Sequence, residues 1–134
     1  MRARKNVLFV CLGNSCRSPM AEGFARAYGS DVLVAQSAGF YPARIVQPLT
    51  RKVMLEKNID LSAAYPKPLE AVKLASFDVI VNMAAQPLPA AVTGRVEEWK
   101  VPDPIGLPEP VYREVANQIE QLVMRLILNL RAAA

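Results

Sequence analysis

The sequence predicts an α/β fold: one domain built on a four-stranded parallel sheet with helices on both faces. Three observations carry this. Short strand-like runs alternate with helical patterns along the chain, the order that builds parallel sheets. The first run, Val7-Leu8-Phe9-Val10, is wholly apolar, as a strand buried on both faces reads. No internal repeat, linker or membrane-length apolar run divides the 134 residues, a length that suits a single core.

Each element follows from local chemistry. Asn6–Val10 is the first strand. A helix follows from Ser18, with Ser18 as a candidate N-cap, Pro19 in the first turn, Glu22 near the positive end and Gly29 as a stop. Asp31–Ser37 reads as the second strand, and the Gly and Pro of residues 37–42 as a loop. Pro48–Lys57 is helical, with Leu49, Val53 and Met54 on its apolar face. Residues 58–62 form a turn, and a short helix is expected around residues 69–72. Phe77–Asn82 is the third strand, residues 86–94 a loop or helical turn, and Arg95–Trp99 leads into the fourth strand. Residues 100–110 are rich in proline. From Pro110 to Arg131, Val111, Val115, Ile119, Leu122, Leu126 and Leu130 recur every three or four residues, the clearest amphipathic helix in the chain. The Ala132–Ala134 end is expected to fray.

Composition removes several classes of function. There is no histidine, which excludes Ser-His-Asp and Cys-His systems and histidine-ligated metal sites. The net charge of +4 suits an anionic substrate. No basic run with interleaved aromatics points to nucleic acid, and no segment points to a membrane or to a secretion signal. A cytoplasmic location is the expectation, and no cofactor is expected. Two cysteines five positions apart in such a chain suggest chemistry before scaffold.

Both cysteines fall in Cys11-Leu12-Gly13-Asn14-Ser15-Cys16-Arg17-Ser18, between the first strand and the first helix. A helix N-terminus offers unpaired N–H groups and the positive end of the helix dipole, so a loop feeding into it makes a nest for an oxyanion. Arg17 adds a fork of donors for two oxygens of one anion. Cys11, first in the loop, would lie under that anion, in a field that favours thiolate. Residues 12–16 and Ser18 are therefore candidate oxyanion-binding residues, with Cys11 and Arg17 as candidate catalytic ones. Ser18 can donate to the sulfur, cap the helix, or do both. Cys16 is either a small apolar filler or the partner of a reversible, protective disulfide with Cys11.

Cys-x5-Arg-Ser after a strand is the signature loop of cysteine-dependent phosphatases. The fuller string from Val7 to Glu22, with both cysteines, the Asn, Arg17-Ser18 and Pro19, resembles the low-molecular-weight protein tyrosine phosphatase family and its relatives, the thiol-coupled arsenate reductases. The resemblance implies a phosphate-binding loop after the first strand, a phosphocysteine intermediate on Cys11 and a late Asp-Pro pair as general acid. Asp103-Pro104 matches that pair; from spacing alone it also reads as an ordinary turn. The resemblance further implies that Ser37 supports the loop by bonding Asn14. Without it, Ser37 is a plain strand-end serine.

The leading expectation is therefore a phosphatase acting on protein phosphotyrosine or small aryl phosphates. The alternative is an arsenate reductase using glutathione, glutaredoxin or mycothiol. The aromatic slot of the phosphatases is incomplete here. Ile105 stands where many carry a Tyr, and Phe40 or Tyr41 is the best second wall, with Tyr41 chosen. Ala63 and Ala64 replace a frequent His. Residues 46–62 look more like the reductases. The two extra cysteines of thioredoxin-coupled members, on the segment matching Met83–Pro89, are absent, which argues against an internal disulfide relay and leaves an external thiol.

Overall fold

The computed structural model describes residues 3–89, 92 and 94–133. Four strands, β1 (Lys5–Cys11), β2 (Leu33–Gly39), β3 (Val79–Asn82) and β4 (Arg95–Glu98), form one parallel sheet in the order β2-β1-β3-β4. The helices are α1 (Arg17–Gly29), α2 (Pro48–Glu56) and α3 (Glu109–Ala133). Chain order reverses between β1 and β3. In an open parallel sheet that reversal leaves a crevice beyond the carboxyl ends of the strands, where ligands bind. Cys11 closes β1 at this point.

The pleat of β1 divides the interior. Val7, Phe9 and Cys11 face a core shared with α1, α2 and α3, including Phe24, Met54, Val115, Ile119 and Ile127. Leu8 and Val10 face a smaller cluster with Ala38, Phe77 and Ile80. Leu69 and Leu74 close that second face from the 3-10 turns Leu69–Ala71 and Leu74–Ser76. Sequence reading places a short helix at the first of these turns.

The differences from sequence are local. β2 runs two residues further than expected, to Gly39, because Gly39 N–H bonds Lys67 O and a bridge to Pro68 extends the sheet there. The helix α1 starts at Arg17 with Cys16 in the cap position and no side-chain cap bond. Ser18 is therefore not the N-cap; its hydroxyl is engaged elsewhere. Asn58, at φ 63°, turns the chain out of α2. The α3 helix continues to Ala133 where fraying was expected. Of the 86–94 loop, Ala90, Ala91 and Thr93 lie outside the described residues, as does Ala134.

Strand β4 is an exposed edge whose charged residues, with Arg95 paired to Glu97 at 2.9 Å, suit a sheet border. Its entry is tight. A Cβ on Gly94 would stand 2.4 Å from Phe77 O and 2.8 Å from Asp78 O, both backbone atoms that cannot swing aside. Gly94→Ala is therefore expected to destabilise the fold by about 1–3 kcal/mol. Urea denaturation of the two proteins reads this, and an unchanged midpoint would refute the close approach.

Candidate active site

The loop after β1 is shaped by where its carbonyls go. Cys11 O, Leu12 O, Gly13 O and Ser15 O accept from the backbone N–H groups of Phe40, Tyr41, Ala43 and Gln47, at 2.8–3.3 Å. In a planar trans peptide the next residue's N–H points opposite to the carbonyl. Four outward carbonyls thus turn the N–H groups of Leu12, Gly13, Asn14 and Cys16 toward the loop interior. That is the concave donor surface an oxyanion needs. Asn14 takes the left-handed backbone, φ 48°, that the turn requires. The second strand presses against the loop with nothing between. A Cβ on Gly39 would lie 2.8 Å from both Asn14 N and Leu12 O.

Side chains then orient the sulfur. Asn14 Nδ2 donates to Ser18 Oγ at 2.8 Å, and Asn14 Oδ1 accepts from Lys67 N–H at 2.8 Å. The Lys67 bond fixes which end of the Asn14 amide faces Ser18. Since Ser18 Oγ accepts there, its own proton is free for Cys11 Sγ, 3.0 Å away. Ser18 N–H adds a second donor to the same sulfur at 3.4 Å. All three residues are buried.

Arg17 is only 5% exposed. Its Nη1 donates to Met83 O at 2.7 Å and Val101 O at 3.0 Å, while Nη2 lies 3.5 Å from Asp103 Oδ2. One nitrogen is thus spent on anchoring, which leaves the other donors to meet an anion. The structure brings Asp103 to the site through this pair. Its side chain is 38% exposed, and its Oδ1 accepts from Ile105 N–H at 3.1 Å. Tyr41, whose backbone N–H bonds Leu12 O, is 70% exposed, and its hydroxyl accepts from Gln86 Nε2 at 3.5 Å. Phe40 turns inward against the second core cluster.

One expectation about the site is corrected. Ser37 does not bond Asn14; it donates to Glu22 of α1. It sits two residues before Gly39, the residue that abuts Asn14, so it lies roughly 7 Å too far back along the strand. The Asn14 amide takes Lys67 N–H in its place, a partner that sequence cannot advertise because any residue supplies it. Met83 and Val101 act through backbone carbonyls and escape sequence reading for the same reason.

Cys16 points into the core and both cysteines are free. Burial pushes the Cys16 thiol up to about 12, against a smaller downward pull from the nearby Thr50 hydroxyl. Among the described residues, no three metal-ligating side chains gather, and no helix is long and apolar enough to cross a membrane.

A parallel α/β sheet with a thiol, a donor-lined loop and a buried guanidinium at its switch point is the architecture of the phosphatase-loop class. The chain belongs to the low-molecular-weight phosphotyrosine protein phosphatase family, whose profile matches residues 6–134. Its relatives sharpen this. It is 36% identical over 127 residues to the glutaredoxin arsenate reductase of Synechocystis sp., covering 92% of this chain and 96% of that one. It is 32% identical over 130 residues to an arsenate reductase of Bacillus anthracis, covering 93% and 96%. Among solved structures, an arsenate reductase in the phosphate-binding state superposes with a TM-score of 0.88 at 36% identity, over 94% of this chain and 98% of that one.

These relatives overturn the leading expectation from sequence. A phosphatase of the protein-tyrosine type was placed first, and arsenate reductase second; similarity at 32–36% identity over nearly the whole chain runs to proteins named for arsenate reduction. The physical reason is that the loop reads only the tetrahedral anion, which both reactions share. What distinguishes an aryl ester is the slot, and here Ile105 and a solvent-exposed Tyr41 make a poor one.

The raised Cys16 thiol has two consequences. At pH 8, iodoacetamide is expected to alkylate Cys11 in the folded protein and spare Cys16, as peptide mass spectrometry would read. Because Cys16 ionises later in the folded than in the unfolded chain, its contribution to stability is intact below its ordinary value of 9.0 and is lost as pH rises toward about 12. Cys16→Ala should flatten that decline in urea midpoints between pH 8 and 10.5; parallel declines would contradict it.

Proposed function

We propose that this protein is an arsenate reductase that draws its electrons from an external thiol. The observation that carries the reading is the Cys11–Ser18–Arg17 geometry under a donor-lined loop, in a chain whose relatives are named arsenate reductases. Arsenate enters as a tetrahedral dianion, held by the inward N–H groups of Leu12, Gly13, Asn14 and Cys16 and by Arg17. The Cys11 thiolate attacks arsenic. An S–As bond forms, an As–O bond breaks, and the departing oxygen leaves as water with a proton from Asp103.

A thiolate RS⁻ then attacks Cys11 Sγ. The S–S bond forms as the S–As bond breaks, and its electron pair stays on arsenic, which leaves as arsenite, reduced from As(V) to As(III). A second thiol attacks the mixed disulfide, releases R–S–S–R and restores Cys11. Net, one arsenate and two thiols give arsenite, a disulfide and water. Glutathione, glutaredoxin or mycothiol fits the thiol role, and the reducing cytoplasm is the compartment we assign.

Purified protein given arsenate with glutathione and glutaredoxin is expected to produce arsenite. Cys11→Ser should abolish turnover, and Asp103→Asn should lower it about 100-fold. Arsenite formation by Cys11→Ser at the wild-type rate, or turnover of aryl phosphate alone, would reject the proposal.

A further inference from the structure

Strand β3 ends on Asn82, a polar side chain only 1% exposed. Its Oδ1 accepts from Ala84 N–H at 2.9 Å, and its Nδ2 donates to Gln86 O at 2.8 Å. Between those two anchors sits Ala85, at φ 58°, in the left-handed region that L-residues with a Cβ avoid. One amide therefore clasps both sides of an unfavourable residue. Such a conformation persists where its surroundings over-determine it, and it clusters at functional sites.

The clasped turn leads to the anion site by one bond. Met83, between Asn82 and Ala84, is pinned by its N–H to Val10 O at 2.8 Å, and its carbonyl takes the shorter of the two Arg17 Nη1 bonds. Rotating the 83–86 turn would rotate that carbonyl. The guanidinium would then swing about its remaining anchor, Val101 O, and its free donors would leave the plane that meets the anion. Gln86, at the other end of the clasp, also carries the side chain that reaches Tyr41.

We propose that Asn82 is a positioning residue for oxyanion binding: by holding the left-handed turn at Ala85 it sets the Met83 carbonyl and, through it, the aim of Arg17. The inference rests on the anion site assigned under Proposed function, and its test avoids the redox step. The readout is binding of inorganic phosphate, followed by titration calorimetry.

Asn82→Ala is expected to weaken phosphate binding about tenfold. Ala85→Gly alone should bind as the wild type does, since glycine takes positive φ without steric cost. In the double variant, glycine adopts the turn without the clasp, and affinity should return to within about twofold of the wild type. A loss caused only by damaged packing would not be rescued this way. Asn82→Ser, which keeps an oxygen for Ala84 N–H and cannot reach Gln86 O, guards against an alanine variant that fails to fold; the same loss and the same rescue are expected. Unchanged binding in Asn82→Ala, or a loss that Ala85→Gly leaves in full, would overturn the role. Wild-type protein that ignores phosphate would remove the anion site and this inference together. Absence of arsenite formation with phosphate binding intact would strike the reductase reading alone.

Discussion

A cation buried to 5% exposure needs partners, and the ones Arg17 finds tie the molecule together. Its guanidinium reaches the carbonyl after β3 and the carbonyl of Val101 before α3, and it faces the carboxylate of Asp103. Segments 66 and 84 residues away in sequence are thereby fixed around the start of α1. The bonds satisfy only one guanidinium nitrogen fully. The rest of its donor capacity is held in a fixed direction without an equally strong protein acceptor, which is the preorganised state that binds an anion at little cost in reorganisation.

The same economy governs the loop. Its carbonyls are consumed by residues 40–47, so its N–H groups face inward by the geometry of the peptide bond. The Asn14–Ser18–Cys11 chain works likewise. Lys67 N–H orients Asn14, Asn14 orients Ser18, and Ser18 is left with one direction for its proton. Each step is a choice removed. A hydroxyl free to rotate would donate to the sulfur only part of the time; this one has its acceptor role assigned.

What sequence could reveal follows from this pattern. Cys11, Arg17 and Ser18 were legible because their chemistry lies in side chains within eight contiguous residues, and because an apolar run before them marks the end of a strand. The parallel sheet was legible from alternation of elements, and α3 from its period. The Lys67, Met83 and Val101 contacts were not, since a backbone amide or carbonyl leaves no mark in the residue type. Sequence left Ser18 as sulfur donor, helix cap or both; its hydroxyl meets the sulfur, and it lies inside α1, one residue past the start. Phosphatase over reductase misled because the anion-binding loop is common to both, so the motif carries no information about which bond breaks second.

The source of electrons can be argued from cysteine placement. On the proposed reading, both electrons reach arsenic together, as the bonding pair left behind when an attacking sulfur displaces arsenite from Cys11, and a second sulfur then frees Cys11 from the mixed disulfide. Cys16 is the one other cysteine in the chain, but a thiol held near 12 is almost entirely protonated at neutral pH, and the thiolate is the attacking species. It also faces the core shared with Met20 and Val53, where a movement toward Cys11 would open a void. On the proposed reading the resolving sulfur therefore comes from outside, and it must approach across the 40–47, 83–86 and 103–107 segments that surround the loop. Of these, Tyr41, Ile45, Ile105 and Leu107 expose large apolar side chains.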